Sequence, residues 1–244
     1  MHRFGLIGKN ISYSFSKTYF NTKFRTEGFD AEDQNFDIKA ISELKNIINS
    51  NPDLKGLNVT IPYKETIIPY LDEIHQTAKK IGAVNTIKFT KNNKLKGYNT
   101  DCYGFEKSLK PLLEHHHKSA LILGTGGASK AIVYVLKKLN IDFDFVSRTI
   151  KPNAQYTYTD LSVDIIKSYP IIINCTPLGT FPNVNQCPDI PYEGVNKNHI
   201  LYDLTYNPEE TKFLYMGKKH QATIKNGFEM LKLQAEKAWE IWNK

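Results

Sequence analysis

The sequence predicts an α/β protein built from two α/β domains. Strand-like apolar runs alternate with helix-like segments along the whole chain, the pattern of sheets covered by helices. A glycine-rich turn, Gly124-Thr125-Gly126-Gly127-Ala128-Ser129, follows an apolar run at 120–123 and precedes a helix-forming stretch at 130–138. The chain has 244 residues, which suits one large or two small domains, and about a hundred of them precede the glycine turn, enough for a domain of their own.

In chain order, 4–7 reads as a strand and 15–27 as a helix stopped by Gly28. A strand follows at 35–38, then a helix at 40–48 ending before Asn51-Pro52. Residues 54–59 form a strand, and Pro62 opens the next helix at the position that proline tolerates best. Residues 82–89 and 95–98 pair like a hairpin around the turn Lys91-Asn92-Asn93-Lys94. A helix at 102–113 leads to the second set of strands, at 120–123, 142–146, 171–174, 200–203 and near 222–224. The last segment, 227–242, places Phe228, Leu231, Ala235, Ala238 and Trp239 on one helical face, predicted to return to the first domain.

Strand, glycine turn, helix and strand make the unit that lays a dinucleotide pyrophosphate on a helix N-terminus, where unpaired N–H groups and the helix dipole favour an anion. Gly124 allows the tight turn and Gly126 lets the backbone approach the phosphates, with Gly127 and Ala128 continuing the loop; Ser129 stands where a third glycine is usual. The second strand ends in Ser147-Arg148-Thr149 with no carboxylate at its tip. An acidic residue there would hold a ribose 2′-hydroxyl, whereas Arg accommodates a 2′-phosphate. Arg is rare in this chain, at three positions. The expected cofactor is therefore NADP.

Composition narrows the class. Apolar residues make up 41% and charged residues 23%, ordinary for a globular protein. No apolar run reaches membrane-helix length and no signal peptide is read at the N-terminus, so no membrane partner is expected. Cys102, Cys175 and Cys187 form no CxxC and read as reduced thiols of a cytoplasmic protein. The net charge of +7 is spread over scattered Lys residues, so no nucleic-acid partner is expected. No metal site is predicted; His115-His116-His117 reads as a solvated loop.

Lys64 falls in the first turn of the helix that Pro62 opens, where a cation opposes the helix dipole. A Lys so placed beside a cleft suits proton transfer to a carbonyl/alcohol pair. Asp101 follows a strand at the domain junction, where it either orients a hydroxyl or caps a helix. Ser14 and Ser16 read as helix caps or as donors to a carboxylate. Thr60 and Asn85 are polar residues at strand ends, uninformative individually.

Together these segments resemble the shikimate dehydrogenase family, in the family's order along most of the chain. Ser14-Phe15-Ser16 is similar to its Ser-x-Ser, and Asn58-Val59-Thr60-Ile61-Pro62-Tyr63-Lys64 to its Asn-Val-Thr-x-Pro-x-Lys. Gly82-Ala83-Val84-Asn85-Thr86 and Asn99-Thr100-Asp101 with Gly104 match further motifs, as do Asn174-Cys175-Thr176-Pro177-Leu178-Gly179, Asp203-Leu204-Thr205-Tyr206-Asn207-Pro208 and the segment from Gly227 to Gln234. The resemblance implies NADPH-dependent reduction of 3-dehydroshikimate, with Lys64 and Asp101 catalytic. Ser14 and Ser16 would hold the carboxylate, and Thr60, Asn85, Asp101, Tyr206 and Gln234 would bind the rest of the ring. Gly124 to Ala128, Ser147, Arg148, Thr149, Leu204 and Gly227 would contact the cofactor. It implies a substrate domain of 1–101 plus 227–244 around a Rossmann-type domain of 102–226, in a monomer or homodimer. Tyr13, Lys17 and Thr180 depart from the pattern; the first two touch the carboxylate pocket, and Thr180 lies nearer the nicotinamide. A quinate/shikimate dehydrogenase using NAD or NADP, or a non-catalytic dinucleotide-sensing regulator on the same scaffold, stays open as an alternative.

Overall fold

The computed structural model describes residues 1–11, 14–92 and 94–244. The Tyr13 departure and Asn93 of the Lys91–Lys94 turn lie outside the described residues. In chain order the elements are β1 (His2–Gly8), α1 (Phe15–Glu27), β2 (Ala31–Asp37), α2 (Leu44–Ser50), β3 (Leu54–Val59), α3 (Tyr63–Thr66), β4 (Glu73–Ile74), α4 (Gln76–Ile81), β5 (Thr86–Phe89), β6 (Leu95–Tyr98) and α5 (Asp101–Leu109). There follow β7 (Ser119–Leu123), α6 (Gly127–Lys138), β8 (Asp142–Ser147), β9 (Tyr156–Thr157), α7 (Val163–Ser168), β10 (Ile171–Asn174), β11 (Ile200–Asp203), α8 (Lys212–Lys219), β12 (Thr223–Lys225) and α9 (Phe228–Asn243). The chain divides into two compact units, Met1–Asp101 with Gln234–Lys244, and Cys102–Leu233. Gly227–Leu233, which the sequence reading puts with the first domain, thus group with the second unit.

The sheet of the first unit runs β2-β1-β3-β5-β6-β4. It is mixed: β1 pairs in parallel with β2 and β3, while β5 is antiparallel to both β3 and β6. Side chains alternate across the strands, so each face meets its own core. Ile7, Leu57, Val59, Tyr63, Ile67, Val84 and Ile87 form one cluster. Phe4, Phe20, Phe24, Ala235, Ala238 and Trp242 form the other. The C-terminal helix therefore returns to the first unit, as expected. The Trp242 ring lies on Gly56, where an added Cβ would sit 2.3 Å from its Nε1, and that nitrogen donates to the Ile87 carbonyl at 2.9 Å.

In the second unit the order is β12-β11-β10-β7-β8-β9, with every pair parallel. This is the doubly wound order of dinucleotide-binding folds. Its central strands read as unbroken apolar runs because both faces are covered: Ala120 to Leu123 and Ile171 to Ile173 are fully buried. The strand order reverses between adjacent β7 and β10, and the crevice beyond the C-terminal ends at such a point is where these folds bind ligands.

Some elements differ from the sequence reading. The stretch 82–89 is not one strand: Gly82, at φ 72°, closes α4, and β5 starts only at Thr86. Pro62 occupies the cap position of α3, a helix of four residues. A single turn carries little dipole, so the dipole argument for Lys64 loses its basis.

Candidate functional site

In the first unit, Lys64 is held by tertiary pairing, because its carbonyl accepts from the Val84 N–H at 2.7 Å. Its Nζ lies 2.7 Å from Asp101 Oδ2, with the two side chains 19% and 14% exposed. Asp101 Oδ1 accepts from Asn85 Nδ2 at 2.9 Å. That amide also lies within reach of Thr100 Oγ1 at 3.0 Å and Gln234 Oε1 at 3.2 Å.

Asn85 itself is buried and used throughout. Its side-chain oxygen accepts from the Thr100 N–H at 2.7 Å, and its backbone carbonyl accepts from Val59 N at 2.8 Å and Asn58 Nδ2 at 3.2 Å. An amide with so many partners has one possible rotamer, so it fixes where Asp101, and through it Lys64, can stand. The structure thus brings Lys64, Asp101, Asn85 and Gln234 into one polar network. Thr86 and Thr100, buried in the same network, were missed from sequence.

Ser14 caps α1, accepting from Lys17 N at 3.3 Å, and Ser16 is buried in the first turn of that helix. A hydroxyl that accepts from an N–H keeps its own proton to donate, so capping and carboxylate binding are compatible. Thr60 directly follows β3, its N–H donating to the Ile7 carbonyl at 2.9 Å. Tyr206 belongs to the second unit, in the loop after β11, and is 39% exposed.

The second unit contains a cavity of about 710 Å³ lined by Gly124, Thr125, Gly126, Ser147, Arg148 and Thr149 together with Val146, Lys151, Tyr158, Cys175, Thr176, Pro177 and Leu178. That volume is within the usual range of ligand sites. The last seven were not in the predicted set. Gly124 has φ 100°, and a Cβ there would sit 2.9 Å from Thr176 Cγ2; both facts require glycine. Gly126 is the N-cap of α6 and has no side chain to occupy the helix N–H groups, and it faces open space, which suits an anion at the helix N-terminus. Gly127 and Ala128 form the first turn of α6 and do not line the cavity.

Arg148 is exposed at the tip of β8, and among the described residues no carboxylate pairs with it. Lys151 Nζ, on the same rim, donates to Thr125 Oγ1 at 2.9 Å. Burial pushes the Tyr158 phenol up to about 12, with the charge of Arg148 pulling the other way. Burial, helped by Asp203, pushes the Cys175 thiol upward, so the cysteine in the cavity wall stays protonated. Leu204 and Gly227 meet backbone to backbone: a Cβ on Gly227 would lie 2.2 Å from the Leu204 carbonyl oxygen. These features fit a dinucleotide with an extra phosphate.

Comparison with known proteins gives this geometry its context. The family model described as "Shikimate dehydrogenase substrate binding domain" matches residues 6–87. The shikimate dehydrogenase (NADP(+)) of Methanosphaera stadtmanae is 41% identical, over 98% of this chain and 90% of that one. The chain belongs to the shikimate dehydrogenase family. Among solved structures of the family, the shikimate dehydrogenase from Aquifex aeolicus matches with a TM-score of 0.87 and 36% identity, covering 100% of this chain and 92% of that one. A shikimate dehydrogenase solved in complex with NADP+ matches with a TM-score of 0.86 and 34% identity, over 99% of this chain and 90% of that one. The doubly wound second unit and the mixed sheet of the first are therefore family architecture. Within the described residues no helix is long and apolar enough to cross a membrane.

Proposed function

We propose that this chain catalyses the reversible NADPH-dependent reduction of 3-dehydroshikimate to shikimate, a cytoplasmic step of aromatic amino-acid biosynthesis. The observation that carries the reading is the Lys64–Asp101 pair at 2.7 Å, locked by Asn85, in a chain of this family. When bound, NADPH supplies the hydride that reduces the ring carbonyl.

Lys64 Nζ donates the proton that the nascent alkoxide needs, and takes it back when the alcohol is oxidised. Asp101 keeps the ammonium aimed and accepts from a ring hydroxyl. Ser14 and Ser16 donate to the substrate carboxylate, which is remote from the reacting carbon and so supplies binding more than rate. Thr60, Asn85, Gln234 and Tyr206 contact the ring hydroxyls. The first unit is the substrate domain, and the second holds the cofactor. There Gly124 to Ala128 receive the pyrophosphate, Ser147, Arg148 and Thr149 the adenosine end with its 2′-phosphate, and Leu204 and Gly227 the nicotinamide end.

The intact Lys64–Asp101 pair argues against a non-catalytic regulator, and the absence of a carboxylate beside Arg148 argues against NAD. A turnover assay crossing shikimate and quinate with NADP+ and NAD+ tests the function. Shikimate with NADP+ is expected to give the highest kcat/KM of the four. Equal or better turnover of quinate with NAD+ would replace this reading, and no turnover in any combination would favour the regulator.

A further inference from the structure

Asp203 ends β11 with a fully buried carboxylate, and no ion pair involving it is found among the described residues. A buried anion without a cation is costly unless several donors surround it. Here three segments supply them. Oδ1 accepts from Asn174 Nδ2, at the end of β10, at 3.0 Å and from the Thr205 N–H, in the loop after β11, at 2.9 Å. Oδ2 accepts from Thr211 Oγ1, the cap of α8, at 2.6 Å. Burial pushes the carboxyl up to about 6, and the bonds from Thr211, Thr205 and Asn174 pull it back.

The network reaches further. Asn174 Oδ1 accepts from the Thr176 hydroxyl at 2.6 Å and its N–H at 3.0 Å. Thr180 Oγ1 and Thr205 Oγ1 share a hydrogen bond of 3.0 Å, and the Gly227 N–H donates to the Thr205 carbonyl at 3.0 Å. The wall of the cavity formed by Cys175 to Leu178 is therefore clamped at both ends, at Asn174 and at Thr180, by groups that converge on Asp203.

A doubly wound sheet binds a dinucleotide with one mononucleotide on each half. Arg148 and the glycine turn lie on the half made of β7, β8 and β9, whereas the Asp203 network spans β10, β11 and β12. We propose that Asp203 is a positioning residue for the second half: it fixes the rim that receives the nicotinamide mononucleotide, without touching it. The proposal rests on the reading of this cavity as the NADP site.

Two probes separate the halves: NADP+, which needs both, and 2′,5′-ADP, which needs only the first. Calorimetric titration of the full chain compares wild type, Asp203→Asn and Thr180→Val. Loss of the charge weakens three hydrogen bonds at once, so Asp203→Asn is expected to raise the Kd for NADP+ about 10-fold or more while leaving 2′,5′-ADP within about twofold. Thr180→Val, at an exposed position, removes one neutral bond and should weaken NADP+ about threefold, again sparing 2′,5′-ADP. A role confined to fold stability would lower the melting temperature without changing the ratio of the two affinities. Equal losses for both probes, or NADP+ affinity unchanged in the variants, overturn the proposal. If Asp203→Asn does not fold, the same two outcomes in Thr180→Val overturn it. Failure of wild-type chain to bind 2′,5′-ADP would instead refute the dinucleotide reading beneath it.

Discussion

Asp101, the first residue of α5 in the first unit, and Asp203, the last of β11 in the second, each sit in a polar network, yet they are held in opposite ways. Asp101 has a cation, Lys64, at 2.7 Å and both side chains keep some exposure. Asp203 is sealed from solvent and, among the described residues, its hydrogen bonds come from neutral donors. A partly exposed acid–base pair can pass a proton to something that arrives from outside. A sealed carboxylate bonded to three segments can only hold them in register. The comparison separates chemistry from scaffolding within one chain.

After loss of Lys64 itself, the largest effect is expected for Asp101→Asn, which keeps the shape but leaves Lys64 without its counter-charge. The kcat for shikimate oxidation should fall about 100-fold, the low end for disturbing a positioned acid–base group. Steady-state kinetics at saturating NADP+ checks this, and a kcat near that of wild type would remove Asp101 from the chemistry.

Arg148→Ala comes next. Losing a bidentate contact to the 2′-phosphate, weakened by exposure at the strand tip, should lower kcat/KM for NADPH by about 10- to 100-fold. NADH, which lacks that phosphate, should respond little. Parallel losses with both cofactors would show that Arg148 does not read the phosphate.

Asp33, in β2, sharpens the contrast because among the described residues its carboxylate has neither a bonded cation nor donors. It is buried, with both oxygens lacking a hydrogen-bond partner among the described residues. Burial pushes its carboxyl from 3.8 up to about 7, with only the charge of Lys17 opposing. The folded-state value lies above the unfolded one, so the stabilisation is complete below about pH 4 and is lost as pH rises through about 7. Asp33→Asn, neutral at every pH, should therefore be more stable than wild type near pH 8 by about 4 kcal/mol, with the gap closing below about pH 4. Urea denaturation at the two pH values checks this; a gap independent of pH would contradict it.

The smallest effect is expected for Ser14→Ala with Ser16→Ala, which should raise the KM for shikimate about 10-fold and change kcat little. A matching fall in kcat would mean that the hydroxyls act in the transition state.

The two networks were not equally legible in the sequence. Lys64, Asp101, Asn85 and Gln234 all fall in motifs, and Arg148 stands out because Arg is scarce. The ends of α1, β3, β6, β10 and β11 match their sequence signals, since Gly28 stops a helix and apolar runs end sharply at Asn174 and Asp203. By contrast β4 and β9 have two residues each, too few for any periodicity to register. In α4 the stop signal at Gly82 was visible but reads equally well as the start of a strand. The Asp203 network was missed because its members are far apart in sequence and meet only in the fold. Asn174, Asp203 and Thr205 do fall in motifs, and a polar residue closes an otherwise apolar strand at both Asn174 and Asp203, but neither signal says that they bond to one another. Tyr158 in the cavity wall was missed for the same reason, and Thr176 was read only as part of a motif.

The most direct test of the contrast is kcat for Lys64→Ala beside kcat for Asp203→Asn, both with shikimate and NADP+ saturating. The account predicts a fall of about 100- to 10,000-fold for Lys64→Ala with substrate affinity little changed. It predicts a kcat within about fivefold of wild type for Asp203→Asn, whose deficit appears in the KM for NADP+. A Lys64→Ala variant that turns over at near the wild-type rate, or an Asp203→Asn variant that loses as much kcat as Lys64→Ala, would contradict it.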